Sequence, residues 1–384
     1  MSAFDFDTPV DRAGTHSSRW EKYAGRDVIP LWVADTDFRA PPPVIDALRK
    51  RIEHGIFGYT VPPPELRELI VKRMARLYAW EIAPESIVYV PGVVSALYMA
   101  ANRLTQPGDH LLSPAPVYYH LFRAAQHAPR DWTNVPMVLD GGRWVWDEAK
   151  LAASVRPDTR LLMLCNPHNP GGTIFTRAEL DRLAAVAQKH NLVIVSDEIH
   201  CDLLLDEGKA HVPIASLSPQ ASKRTVTLMA PSKTFNIAGI GLAFAIIEDR
   251  ALREAFSFDL KKSVHDASLA GYEAALAAYR EGDAWLAAQL DYLRGNRDLV
   301  ESAIARLPGV ESAHLEATYL SWIDCSGLGV ADPHALFLEH GLGLSPGADF
   351  GAPQFVRFNF GTQRKLLASA LERFEKAVMS VKKR

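Results

Sequence analysis

The sequence predicts an α/β fold, and three observations carry that expectation. Short apolar runs alternate with longer segments of helical period, as in successive βαβ units. Several of those runs are apolar throughout, as strands covered by helices on both faces are. Beyond about Asp283 the alternation gives way to one long helical pattern and isolated strand-like runs, which predicts a smaller α+β unit. The boundaries expected are a large domain over 45–283 and a small domain made of 1–44 and 284–384.

Taken in chain order, a polar opening runs to about Arg26. The triplets Pro41–Pro43 and Pro62–Pro64 then bracket a helix and set rigid turns, since neither extends into a PxxP tract. Strands are predicted at Ile87–Val90, His110–Leu112, Arg160–Leu164, Leu192–Val195, Thr225–Leu228 and Leu242–Ile247. A helix is predicted from about Val94 to Leu104, and another over Thr176–His190, where Leu180, Leu183, Ala184 and Ala187 share one face. Thr176 is its N-cap, with Glu179 completing a capping box. In the smaller unit a helix runs to Arg306, followed by strands at Tyr319–Ile323 and Phe355–Phe358. There is no internal repeat and no low-complexity tail.

Composition narrows the class of function. A chain of 384 residues with 48% hydrophobic residues has material for one large core and a smaller one. A net charge of −3 provides no basic field, which argues against nucleic acid held by charge and points to a small-molecule substrate. Cys165, Cys201 and Cys325 are odd in number, far apart and without a CxxC pair, which argues against a disulfide framework and a zinc site. Asp35 and Asp37 have no histidine or further acid at metal-ligand spacing, so no metal is expected. The N-terminus carries acids where a secretory signal has cations, and no stretch reaches the ~18 apolar residues of a membrane helix. The expectation is a cytoplasmic protein without membrane contact.

Four stretches suggest chemistry, each at the end of an apolar strand, where open α/β sheets gather their ligands. Ala230-Pro231-Ser232-Lys233-Thr234-Phe235-Asn236 presents a lysine among small polar neighbours. A lysine forms an imine only as the neutral amine, which a partly buried site favours; most lysines are solvated loop residues, and Ser-Lys-Thr alone does not overturn that reading. Ser196-Asp197-Glu198-Ile199-His200 closes an apolar strand with two carboxylates, and Asp197 alone is as much a turn acid as a partner for a buried cation. Asn166-Pro167-His168-Asn169-Pro170-Gly171-Gly172 is dense in turn formers and reads as a rigid loop able to present an Asn side chain. Tyr89-Val90-Pro91-Gly92-Val93-Val94-Ser95 leads into a helix whose N-terminus suits a phosphate.

These motifs, in this order, resemble the fold-type I pyridoxal-5′-phosphate (PLP) enzymes, the aspartate aminotransferase superfamily, from about residue 28 to the C-terminus. LWVADTDF (31–38), HGIFGYT (54–60), SDEIH (196–200), SKTFNIAG (232–239) and FVRFNFG (355–361) resemble the cystathionine β-lyase-like (MalY/PatB) branch of carbon–sulfur lyases. The resemblance implies a mostly parallel seven-stranded sheet between helices with a smaller α+β domain. It implies PLP bound as an imine on Lys233, Asp197 on the pyridine nitrogen, Asn169 on the ring oxygen and Tyr118 over the ring. It further implies Val93, Val94 and Ser232 on the phosphate, Tyr59 reaching it from the neighbouring subunit of a homodimer, and Arg357 on the substrate α-carboxylate. Asp35 is expected at the site entrance, beside the substrate.

Two positions depart from the transaminase pattern: Gly241 stands where many transaminases place an arginine, and His200 where a tyrosine usually contacts the ring oxygen. Both resemble the lyase branch. The activity implied is cleavage of cystathionine or related cysteine S-conjugates to pyruvate, ammonia and a thiol. The alternatives are a class I/II aminotransferase and a non-catalytic regulator built on this fold.

Overall fold

The computed structural model describes residues 4–262 and 267–381; the outermost residues of the expected small domain and residues 263–266 of the large one lie outside the described residues. Eight strands form the main sheet: β1 (Ile87–Val90), β2 (His110–Ala115), β3 (Asp131–Asp140), β4 (Arg143–Trp146), β5 (Thr159–Cys165), β6 (Val193–Asp197), β7 (Thr225–Met229) and β8 (Ala243–Ile246). Their spatial order is β1-β8-β7-β6-β5-β2-β3-β4. Only β8 and β4 run against the rest.

The sheet thus has one strand more than the seven expected. The additional strand comes from the β3–β4 hairpin, whose two-residue turn, Gly141-Gly142, has φ of 54° and 76°. Two successive positive φ angles define the hairpin turn that glycine suits best. β3 is mostly exposed and its apolar stretch 135–139 is interrupted by Pro136, while β4 is only four residues long, so periodicity passed over both.

β5, β6 and β7 are apolar and almost wholly buried, with helices on both faces. Their register sets Cys165, Asp197 and Leu228 side by side, so the carboxyl ends of three neighbouring strands open at one level. Helices α1 (Pro42–His54), α2 (Pro64–Tyr78), α3 (Val93–Arg103) and α4 (Arg177–Lys189) lie in the first half of the chain. In α4 the capping box is formed: Thr176 Oγ1 accepts from Glu179 N–H and Glu179 accepts from Thr176 N–H at 2.6 Å.

The C-terminal part builds a second, antiparallel sheet in the order β9-β10-β12-β11, from β9 (Glu311–Ser312), β10 (Leu320–Asp324), β11 (Ser345–Pro346) and β12 (Phe355–Asn359). Helix α5 (Leu269–Glu281) packs on α1, while α6 (Asp283–Ile304) packs against α7 (Arg364–Val381). The polar opening does not stand apart. Ile29–Pro30 pairs with Leu342–Gly343, and the following residues 32–38 cross between the two sheets. Asn359 Nδ2 donates to the carbonyls of Val33 and Asp35, and Asn236 Nδ2 to those of Thr36 and Phe38. No helix among the described residues is long and apolar enough to cross a membrane.

Candidate active site

A cavity of about 370 Å³ opens where the ends of β1, β5, β6 and β7 meet the second sheet. Val93, Val94, Tyr118, Asn169, Asp197, His200, Ser232, Lys233 and Arg357 all line it. The structure therefore brings together nine of the eleven residues singled out in the sequence.

Lys233 sits in a short helical turn, Pro231–Thr234, directly after β7. Its Nζ donates to Ala34 O at 2.6 Å, so the crossing segment 32–38 holds the amine. Burial pulls its pKa below the usual lysine range, and nearby Arg357 adds to this while Asp35 and Asp197 oppose it. The shift is toward the neutral amine.

Asp197 is the last residue of β6 and is buried. Burial raises its carboxyl to about 7; Ile199 N–H, donating at 3.2 Å, and the charge of Lys233 only partly offset this. No cation forms an ion pair with it among the described residues, so its ionisation awaits a positive partner.

Arg357, on β12, shows the opposite imbalance. It is buried, its Nη1 donates to Asn169 Oδ1 at 3.0 Å, and its Nη2 donates to Trp32 O at 2.8 Å and Ser345 Oγ at 3.2 Å. Its Nε has no acceptor and no carboxylate pairs with it among the described residues. Burial pushes it down to about 10. A buried guanidinium that lacks an acid is a receptor for one.

The loop after β5 is held from all sides. Asn166 Nδ2 donates to Val212 O, its Oδ1 accepts from Phe175 N–H, and His168 Nδ1 accepts from Gly171 N–H. That bond assigns the proton to His168 Nε2, which donates to Pro116 O at 3.0 Å. Tyr118 N–H donates to Asn169 O at 2.9 Å, which sets Tyr118 beside Asn169. His200 is buried with Nδ1 unpaired, and burial, reinforced by Lys233 and Arg357, drops it to about 3, so its ring is neutral.

At the other end of the cavity α3 begins at Gly92 without a side-chain cap, and the backbone there lines the cavity next to Ser232. Gly241 has φ of 71°, a conformation that an L side chain rarely adopts. The loop as folded thus disfavours an arginine at that position.

Two expected residues lie elsewhere. Asp35 is not at the entrance: Arg12 Nη2 bonds it at 2.7 Å and Arg19 Nη1 lies 3.4 Å away, so two guanidinium groups turn it from the cavity. It acts on Lys233 through its charge alone. Tyr59 is fully exposed on the segment after α1 and does not reach the cavity of its own chain. Conversely, the carbonyls of Trp32 and Ala34, Ser345 Oγ and the Tyr119 ring belong to the site; the stretch 31–38 stood out only as part of the resemblance, with no role given to its backbone, and Ser345 and Tyr119 were given none. Among the described residues no group of three or more His, Cys, Asp or Glu is placed to hold a metal.

The family described as aminotransferase class I and II matches residues 26–374. The chain belongs to that family. Within the class I and II aminotransferase family, it is 36% identical to cystathionine beta-lyase PatB of Bacillus subtilis (strain 168), over 97% of this chain and 100% of the relative. The crystal structure of OvoB superposes with a TM-score of 0.96 at 47% identity, covering 98% of this chain and 100% of the other. Cystalysin from Treponema denticola, which contains a pyridoxal 5′-phosphate cofactor, superposes with a TM-score of 0.93 at 31% identity, covering 98% and 99%. The family is PLP-dependent, and the fold is that of the fold-type I PLP enzymes.

The residues present fit that cofactor. The unpaired Asp197 suits a protonated pyridine nitrogen, the uncapped start of α3 with Ser232 suits a phosphate, and Asn169 and His200 flank the space between them and Lys233.

Proposed function

We propose that this class I/II family member is a PLP-dependent carbon–sulfur β-lyase that converts cystathionine or a related cysteine S-conjugate, with water, to pyruvate, ammonia and a thiol. One observation carries the reading. A single cavity holds a half-buried lysine amine, a buried acid without a cation and a buried arginine without an acid. Those three imbalances are complementary to an aldehyde, a pyridinium and an α-amino acid carboxylate.

When bound, PLP supplies an aldehyde that takes up an amine as an imine and a ring that accepts electrons from the substrate α-carbon. The protein's part follows from its own groups. Arg357 takes the α-carboxylate through the unsatisfied side of its guanidinium, while Asn169, Trp32 O and Ser345 keep the fork in place. Lys233, whose amine is shifted toward its neutral form by burial, removes the α-proton at Nζ as general base. Asp197 supplies the negative charge that keeps the heterocycle cationic. His200, neutral and buried, lends the site no further positive charge. Breaking the Cβ–S bond sends its electron pair out with the sulfur as thiolate, and Lys233 carries the proton that the leaving group or product requires.

Relatives support the reaction. PatB of Bacillus subtilis and a Corynebacterium glutamicum relative 31% identical to this chain are cystathionine beta-lyases. The three free, buried cysteines agree with a reducing cytoplasmic setting. We also place Tyr59 in the phosphate site of a second copy, on the strength of the exposed apolar run Ile56, Phe57, Tyr59 and Val61 around it.

Incubating the PLP-loaded protein with L-cystathionine tests the proposal. Stoichiometric pyruvate and homocysteine are expected, with loss of the lysine-imine absorbance and of turnover in Lys233→Ala. Conversion of the bound cofactor to its amine form without thiol release would show an aminotransferase instead.

A further inference from the structure

Beyond the atoms that hold cofactor and α-carboxylate, the cavity has an outer part with its own chemistry. Lys22, Trp32, Tyr119, His334, Asp349 and Phe350 line it. It adjoins Arg357: Phe350 lies under the Arg357 guanidinium at 4.7 Å, and Trp32 O accepts from Arg357. The Lys22 ammonium stands 4.4 Å from the Trp32 ring and is exposed, which marks the mouth.

Three polar side chains here have no ion-pair or hydrogen-bond partner among the described residues, although the Lys22 ammonium rests over the Trp32 and Tyr23 rings. Neither the Lys22 nor the Asp349 side chain forms an ion pair or hydrogen bond among the described residues, and His334 Nε2 is buried without an acceptor. They sense one another across the mouth. Burial lowers the His334 imidazole, Asp332 and Asp349 pull it up, and Lys22 pulls it further down. A cation, an acid and an imidazole that face one space and do not neutralise each other are arranged for a ligand carrying both signs of charge. Short alkyl substituents would leave all three unanswered.

We propose that Lys22, His334 and Asp349 form a distal subsite for a zwitterionic α-amino acid head on the leaving thiol. The carboxylate of that head faces Lys22 and His334, its ammonium faces Asp349, and Trp32, Tyr119 and Phe350 pack along the chain between. This rests on the lyase reading above and names its substrate class: conjugates of cysteine with a second amino acid, in preference to S-alkyl cysteines.

Four substrates separate the charges: L-cystathionine (both), S-(2-carboxyethyl)-L-cysteine (carboxylate only), S-(2-aminoethyl)-L-cysteine (ammonium only) and S-ethyl-L-cysteine (neither). The readout is kcat/KM for pyruvate release, expressed relative to S-ethyl-L-cysteine. Lys22→Met is expected to lower the ratio for the carboxyethyl substrate by about tenfold, and Asp349→Asn that for the aminoethyl substrate by about tenfold, the scale of one charge-assisted contact. Both should lower the cystathionine ratio. A uniform loss on all four substrates, as from a purely structural role, or no change in any ratio overturns the subsite. If the wild-type protein releases pyruvate from none of them, the lyase reading fails separately. The subsite is then judged by dissociation constants from quenching of tryptophan fluorescence: cystathionine must bind more tightly than S-ethyl-L-cysteine, and each variant must erode that preference.

Discussion

Asp197 carries the sharpest consequence at the scale of single residues. Its carboxyl titrates near 7 in the folded chain and near its ordinary value of 3.8 when unfolded, because folding buries it without a cation. The folded state therefore binds more protons across that interval, so this group costs the cofactor-free protein stability as pH rises from about 4 to 7. Asp197→Asn removes that term. Between about pH 4 and 7 the denaturation midpoint of the cofactor-free wild type should fall relative to that of the variant, and the variant's PLP-loaded form should lose on the order of 100-fold or more in turnover. Undiminished activity would end the assignment of Asp197 to the pyridine nitrogen. Lys233, Asp197 and Asn169 were legible because each follows an apolar strand within a few residues, and strand ends are where such sheets place ligands. Arg357, inside a strand, stood out only through the resemblance. Asp35 misled because sequence neighbours do not reveal that Arg12 and Arg19 fold back upon it.

Among the elements, α4 shows local rules surviving into the fold. Thr176 and Glu179 satisfy each other's backbone donors, and Glu179 also pairs with Arg143 of β4 at 2.8 Å. Thr176→Ala should lower stability by about 1 kcal/mol in urea denaturation without altering KM; a cost near zero would show that Arg143 alone secures this end. The segment 32–38 follows no such rule. It has little regular structure, yet its carbonyls receive Lys233, Arg357, Asn236 and Asn359, so that a loop forms one wall of the site. Backbone acceptors carry no residue signature, and the partners lie about 200 to 325 positions away along the chain. The β3–β4 hairpin was overlooked for a different reason: β3 exposes Trp132 and Leu139 beside Asp131 and Asn134, so its apolar residues do not mark one buried face.

For the whole molecule, the proposed second copy is the main expectation. Ile56, Phe57, Tyr59 and Val61 are exposed together, an arrangement costly in water unless covered. Sedimentation should show a dimer, and Tyr59→Phe should remain dimeric while binding PLP about tenfold more weakly, the scale of one hydrogen bond to a phosphate. A monomer, or unchanged PLP affinity, would remove Tyr59 from the site. The division into 45–283 and 1–44 with 284–384 stands as a proposal of the same order, consistent with an eight-stranded sheet drawn from the first part and two smaller sheets drawn from the second. By itself the sequence determined the α/β class, the buried strands and the lysine, acid and asparagine at their ends, because periodicity and strand-end chemistry are local properties of the chain. Only the tertiary structure decided that Arg357 is left without an acid, that Asp35 is turned away, and that Lys22, His334 and Asp349 share one mouth. Charge balance depends on which distant groups meet after burial, and no local pattern encodes that.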